Sequence, residues 1–333
     1  MKLGLSLGYW TRGPAPGTLE MILEAERLGF DSIWTAEAYG SDALVPLAWW
    51  GAHTERIKLG TAIMQLSARA PTATAMAALT LDHLCGGRFI AGLGVSGPQV
   101  VEGWYGEPFA KPLARTREYV EIMRRVFARE APVTNAGPHY PLPLPGDAGT
   151  GLGKPLKPSI HPLRPDLPIY LAAEGPKNIA LAGELCDGWL ALFLSPSRDD
   201  WYRRALGETR EGFEVAATVP LVFGEVEAAA DTLRPMYALY FGGMGARSAN
   251  FHADVATRLG YEDAVAAVQE HYLAGRKDDA AAAIPLALID ELALIGPPDR
   301  VRDRLAAWEE SVVTTLLIAG PPETLRTAAE MVL

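Results

Sequence analysis

Residues 3–35 read LGLSLGYWTRGPAPGTLEMILEAERLGFDSIWT. Leu3–Gly8 is a short apolar run of strand length. Pro14, Pro16 and Gly17 interrupt it, Thr18 offers a helix cap, and Leu19, Ile22 and Leu23 then recur at helical spacing until Gly29. Ser32–Thr35 is a second apolar run. A strand, an amphipathic helix and a second strand in this order make a βα unit, which implies parallel pairing.

The pattern repeats downstream. A helix carrying Leu47, Trp49 and Trp50 leads to a third strand over Ile57–Ile63; an Ala-rich helix over Pro71–Leu84 stops at Gly86-Gly87; Arg88–Leu93 is the fourth strand. After a loop holding Trp104 and Tyr105, the residues Thr116, Tyr119, Val120, Met123, Val126 and Phe127 form one apolar helical stripe. From Ala131 to Pro168 the periodicity dissolves into Pro and Gly, and this insertion is expected to cover one barrel mouth. Strands resume at Ile169–Ala172, Gly188–Leu194 and Val215–Phe223, with a helix over Pro176–Leu185; Val226–Ala283 reads as helical. Pro297 opens a helix with Val301, Leu305 and Trp308, and Val312–Ile318 is the last strand.

Eight strands, most of them continuous apolar runs as strands buried on both faces require, predict a (β/α)8 TIM barrel forming one domain over residues 1–333. A doubly wound sheet is the structural alternative. Its fingerprint is missing, because Gly92 and Gly94 are followed neither by a third glycine three residues on nor at once by a helix.

Composition narrows the function. The formal net charge of −10, without a Lys/Arg run, argues against nucleic acid, and a 49% hydrophobic, 21% charged chain can bury a sizeable core. No apolar run reaches membrane-spanning length and the N-terminus lacks a signal-peptide pattern, so a cytoplasmic location is expected. Cys85 and Cys186 lack metal-ligand spacing and are expected to be free and buried. The six histidines show no H-x-x-x-H pair, and no G-x-S-x-G nucleophile motif occurs, so no metal site is expected. His83 reads as a helix-end residue.

Barrel enzymes work at the carboxyl ends of their strands. The residues to inspect are therefore Tyr9 and Trp10, Glu37, Met64 and Gln65, Val95 to Gly97, Glu174 to Asn178, and Phe193. In Ala173-Glu174-Gly175-Pro176-Lys177-Asn178, Gly175 permits close backbone approach and Pro176 suits the first helical position, so free N–H groups face a prospective phosphate. An ordinary strand-to-helix turn is the plainer reading. Glu37 is the candidate catalytic residue: it can hydrogen-bond a polar ring or hydroxyl, and burial would raise its pKa toward acid work. A solvated loop carboxylate is its plainer reading.

Three stretches carry a resemblance: Ala25-Glu26-Arg27-Leu28-Gly29-Phe30-Asp31-Ser32-Ile33-Trp34, Thr80-Leu81-Asp82-His83-Leu84-Cys85-Gly86-Gly87-Arg88, and Ala182-Gly183-Glu184-Leu185-Cys186-Asp187-Gly188. With Ile169 to Asn178 and Ile295-Gly296-Pro297-Pro298, their order resembles the luciferase-like family of flavin and deazaflavin barrels, most closely its coenzyme F420-dependent branch. The resemblance implies hydride transfer between F420 and a small organic substrate. An FMN-dependent monooxygenase is the alternative, and a non-catalytic flavin-binding barrel a third reading. It further implies a non-prolyl cis peptide around Ala62-Ile63-Met64 behind the ring, and cofactor contacts from Gln65, Val95, Ser96, Val100, Glu174, Gly175, Pro176, Lys177 and Asn178. Glu37 falls where relatives carry an aspartate near the cofactor, and a cofactor-binding role is favoured for it because the partners that share proton transfer in relatives are missing at Ala38 and Gly97. A homo-oligomer, dimer or tetramer, is expected. Ala38 and Gly97 replace the histidine and the acidic residue that supply proton chemistry in some relatives. Glu102 nearby reads as a surface residue.

Overall fold

The barrel strands are β1 (Lys2–Gly8), β2 (Ser32–Thr35), β3 (Lys58–Thr61), β4 (Phe89–Gly94), β5 (Ile169–Ala172), β6 (Gly188–Leu192), β7 (Glu214–Thr218) and β8 (Thr315–Ile318). They are seen in a computed structural model that describes residues 1–245 and 250–333. Every neighbouring pair is parallel, β1 pairs with β8, and the pairing of Leu59 with Phe89 joins β3 to β4, so the eight strands form a closed ring.

Trp34, Ile90, Tyr170, Leu190, Ala216 and Leu317 fill the ring from within, one each from β2, β4, β5, β6, β7 and β8. Two large aromatics fit there because facing positions are small. The Trp34 and Tyr170 ring centroids lie 5.8 Å apart, and a Cβ added to Gly60 would stand 2.3 Å from the Trp34 ring. A larger core between strands and outer helices holds Leu5, Ile22, Leu47, Phe89, Tyr119, Phe127 and Leu316.

The recurring motifs are joints of this frame. Gly17, not Thr18, takes the cap position of the first helix, Thr18–Leu28, and Gly29 ends it at φ 92°. Glu26 Oε1 then accepts the backbone N–H groups of Glu55, Arg56 and Ile57 at 3.0, 2.7 and 2.9 Å, anchoring the entry to β3. Asp82 accepts the Phe89 N–H and pairs with Arg164 at 2.8 Å at the entry to β4. Cys85 and Cys186 are both free and buried; burial pushes the Cys186 thiol up to about 12.

Several boundaries differ from the apolar runs. The third run ends as a strand at Thr61; the Ala62–Ile63 peptide is cis, and Met64–Gln65 resumes pairing with β4. The run 215–223 is two strands. Pro220 has no N–H to continue the ladder, and Leu221–Phe223 leaves the ring to pair with Leu294–Gly296. β6 stops at Leu192, where Phe193 turns to φ 56°, and β8 begins only at Thr315.

The insertion at 131–168 is displaced from its expected place. It connects the helix Pro112–Ala128 to the start of β5, and such helix-to-strand connections lie on the barrel face opposite the active-site mouth. The contacts of its second half agree: Arg129 Nε donates to the Pro158 carbonyl at 3.0 Å and His83 Nε2 meets the His161 carbonyl at 2.7 Å, while Tyr140 runs back along the outer side of that helix to meet Arg115 in its first turn. The mouth is covered instead by the excursion between β7 and β8. It contains the helices Val226–Ala238, Phe251–Arg258, Glu262–Leu273, Lys277–Ala282 and Leu286–Leu292, around a second core of Tyr237, Phe241, Val268, Ile284 and Leu288. Within the segment expected to be helical, residues 246–249 lie outside the described residues. No helix among the described residues is long and apolar enough to cross a membrane.

Candidate active site

At the carboxyl end of β2 the backbone N–H of Glu37 donates to the Ile63 carbonyl at 3.1 Å, and the Ala62 N–H donates to the Thr35 carbonyl at 2.6 Å. The cis bulge is thus tied to β2 on both sides. Glu37 is only 7% exposed, yet its carboxylate is not a free acid. Oε1 accepts from the Gln65 backbone N–H at 2.8 Å and from Arg69 Nη1 at 2.7 Å; Oε2 accepts from Arg69 Nη2 at 2.9 Å and from the Ala43 N–H at 3.4 Å. Four donors thus occupy both oxygens, and Arg69 is the carboxylate's charged partner. Glu37 in turn holds the Arg69 guanidinium above its usual pKa, with Asp42 adding a second anionic partner.

The residues of the bulge stand together. Met64 and Gln65 are buried, Ile63 packs at the end of the barrel interior against Gly94, and Gln65 Nε2 donates to the Glu37 carbonyl at 3.0 Å. After β4, Val95 packs on the core, Ser96 adopts φ 58°, and Val100 lies in the short helix Pro98–Gly103. Ser96 and Phe193 are both non-glycine residues in the left-handed region, a conformation that clusters at functional sites.

After β5, Gly175 occupies the cap position of the helix Pro176–Leu185, with Pro176 in its first turn. Gly175 has an ordinary extended φ of −84°, and a Cβ built on it meets nothing within 4 Å. Open space, rather than backbone necessity, is what a glycine preserves there. Asn178 Nδ2 donates to the Ala172 carbonyl at 3.2 Å, and Lys177 is exposed. Three buried acceptors at this mouth have no donor among the described residues: Gln65 Oε1, Glu174 Oε2 and Asn178 Oδ1. Buried acceptors are rarely left unsatisfied, so a bound group bearing N–H or O–H donors fits them.

The excursion brings groups that sequence spacing did not single out. His252 Nδ1 lies 2.7 Å from Glu174 Oε1, Arg258 Nη2 donates to the Glu174 carbonyl at 2.7 Å, and the Tyr240 ring stands 4.9 Å from the His252 ring. Phe109, from the loop after β4, faces Phe251 at 6.4 Å. His252 is a lone histidine on a helix far along the chain, and nothing in its local sequence marks it. Arg69 carried one weak signal, its place just before the helix start at Pro71.

A family model described as luciferase-like monooxygenase matches residues 6–315. The chain belongs to this family. Among luciferase-like relatives, a Mycobacterium tuberculosis protein provisionally named a coenzyme F420-dependent oxidoreductase is 56% identical over 100% of this chain and 99% of its own length. The 5,10-methylenetetrahydromethanopterin reductase of Archaeoglobus fulgidus is 30% identical over 90% of this chain and 87% of its own. Among solved structures, the coenzyme F420-dependent tetrahydromethanopterin reductase of Methanopyrus kandleri superposes with a TM-score of 0.78 at 22% identity, covering 99% of this chain and 98% of that one, which speaks for the luciferase-like barrel fold.

Proposed function

We infer that this luciferase-like enzyme is a coenzyme F420-dependent oxidoreductase that moves hydride between the deazaflavin and a small organic substrate. The observation that carries the reading is the set of donor-starved acceptors, Gln65 Oε1, Glu174 Oε2 and Asn178 Oδ1, beside the braced cis bulge. A deazaflavin carries ring N–H and side-chain hydroxyl donors that suit such acceptors. The full-length relative named for F420 supports this cofactor over FMN.

When bound, the cofactor supplies two-electron hydride chemistry. The chain supplies place and polarity. Ala62, Ile63 and Met64 would back the ring, Val95, Ser96 and Val100 would line it or its linker, and Gln65 would accept from it. Gly175, Pro176, Lys177 and Asn178 would line the phosphate, with the Lys177 N–H at the helix start free to donate while the Asn178 N–H already donates to the Gly175 carbonyl at 3.0 Å, and the helix dipole favouring negative charge. Glu37, with both oxygens already engaged, serves as a positioning residue that holds Gln65 and the bulge, not as the acid.

The same reading treats the chain as one domain, since the Leu221–Phe223 and Leu294–Gly296 pair ties the excursion to the strands that bear it. It also includes a homo-oligomer. Val45 and Trp49 on the helix Leu44–Gly51, with Met76 and Leu84 on Pro71–Leu84, leave large apolar side chains more than half exposed on adjacent helices.

A fluorescence titration tests the cofactor. F420 is expected to bind at least 10-fold tighter than FMN, about 1.4 kcal/mol. Tighter binding of reduced FMN, with oxygen-dependent turnover, would instead make the protein a monooxygenase; cofactor binding without turnover of any acceptor would make it a non-catalytic barrel.

A further inference from the structure

In the F420 reading above, two negative charges meet at the turn after β5: the phosphate of the cofactor, at Gly175, and the carboxylate of Glu174, the residue before it. We propose that protonated His252 is the cation that offsets both, so that binding of the phosphate-bearing cofactor takes up one proton at this histidine. The proposal rests on that reading.

Among the described residues, His252 is the one cationic partner of the Glu174 carboxylate, with Nδ1 standing 2.7 Å from Oε1. Arg258 reaches only the Glu174 carbonyl, at 2.7 Å, and its guanidinium lies over the Trp201 ring. Lys177 is exposed, and Glu174 Oε2 is buried without a donor among the described residues. A carboxylate placed one residue before the cradle repels a phosphate, whereas a protonated imidazole beside it makes the pair neutral.

The histidine is fixed from four sides. Asn250, 4% exposed, accepts the His252 and Ala253 N–H groups at 3.0 and 3.1 Å. Its amide donates to the Tyr240 and Phe241 carbonyls at 2.9 Å each, joining the helical turn Leu239–Gly243 to the helix Phe251–Arg258. Tyr240 and Phe193 meet the imidazole edge-on, with centroids 4.9 and 5.8 Å away, and Glu174 engages Nδ1. Only Nε2 has no hydrogen-bond partner among the described residues, on a side chain 23% exposed. A charged imidazole donates from both nitrogens, so Nδ1 serves Glu174 while Nε2 is left for a second anion.

The other groups around the ring do not supply this switchable charge. Burial pushes the Tyr240 phenol up, with Tyr9, Glu174 and Tyr39 adding to the effect, so it stays neutral. Phe193 carries no charge, and Asp254 and Arg258 are exposed on the helix of His252. Among these side chains only an imidazole titrates in the physiological range. Because the phosphate favours the charged ring, affinity is full below the titration of His252 and falls as pH rises through it; one coupled proton changes affinity by at most about tenfold per pH unit.

Fluorescence titrations from about pH 6 to about pH 8 test this by comparing F420 with the deazaflavin ribityl alcohol, which has the same ring and ends before the phosphate. Ionisation of the shared ring cancels in the ratio of the two affinities. In wild type that preference for F420 should fall about 10-fold across the range. In His252→Gln it should be flat and about 10-fold below wild type at the acidic end, with affinity for the ribityl alcohol kept within about threefold. NMR titration of the His252 ring in wild type should give a higher midpoint with F420 bound than with the ribityl alcohol bound. Equal weakening of both ligands in His252→Gln would leave the residue a purely structural part, and a flat preference or equal midpoints in wild type would mean that no proton accompanies the phosphate; each of these results overturns the proposal. If wild type binds neither ligand, the F420 reading falls and takes this inference with it; if it binds both with a flat preference, this inference alone falls.

Discussion

Glu37 and Gln65 are joined in both directions: the Gln65 backbone N–H donates to the Glu37 carboxylate at 2.8 Å, and the Gln65 side-chain amide donates to the Glu37 carbonyl at 3.0 Å. This reciprocal clasp holds the end of β2 to the cis bulge and leaves the buried Gln65 Oε1 without a donor among the described residues. Arg69 completes the clasp by neutralising the buried carboxylate through two hydrogen bonds.

Removing only one partner of that ion pair strands a buried charge. Glu37→Gln and Arg69→Met should each lower unfolding free energy by about 3 kcal/mol, and the double variant should lose less than the sum. Glu37→Gln should also weaken F420 binding more than it lowers kcat. Urea unfolding and cofactor titration on all three proteins read these effects; a large kcat loss with unchanged affinity would return Glu37 to the role of acid.

Gly175→Val separates folding from binding. The extended φ of −84° and the open space around its Cβ let the cofactor-free protein fold with an unchanged Tm. F420 affinity should fall at least 10-fold, about 1.4 kcal/mol, because the side chain enters the phosphate cradle. Wild-type affinity in this variant would remove the turn after β5 from the binding site.

Gly60→Ala should do the reverse. Its methyl would press on Trp34 inside the barrel, and overpacking of this kind costs about 1–3 kcal/mol. Urea denaturation should show the loss, and the paired substitution Trp34→Phe should recover part of it. An additive pair would mean that the barrel relaxes around the new methyl group.

Glu26 supplies a pH dependence. Burial raises its pKa, but the hydrogen bonds from Ile57, Arg56 and Glu55 outweigh it, and the folded value lies below the ordinary 4.5. A depressed carboxyl pKa contributes stability that is fully present above 4.5 and is lost as pH falls through the folded value. Glu26→Gln should therefore be less stable than wild type at neutral pH, with the difference shrinking below about pH 4. Thermal unfolding between pH 3 and 7 measures it; a constant gap would mean that the carboxylate contributes nothing as an ion.

Much of the frame was legible in the chain. Apolar runs of strand length, helix stops such as Gly29 and Gly86-Gly87, and the helix start at Gly175-Pro176 are local signals, and each lies where the structure uses it. The cis peptide was different. Family resemblance implies it and it lies at Ala62–Ile63, but no propensity of Ala or Ile announces it. Strand ends are not legible where an apolar run continues past the ladder, as at Ala62–Ile63, Phe193-Leu194 and Pro220.

Periodicity and turn residues thus determined the βα order, the eight strands and the places where a mouth must form, because those signals act over a few residues. Closure of the ring decided the rest. Only there does Glu37 meet Arg69, does the second half of the proline-rich segment 131–168 fall on the face opposite the mouth, and does a helix of the late excursion carry His252 to Glu174, 78 residues away in sequence. Such meetings depend on which end of the barrel a connection leaves from and on how the second core docks, and no local run of residues encodes either.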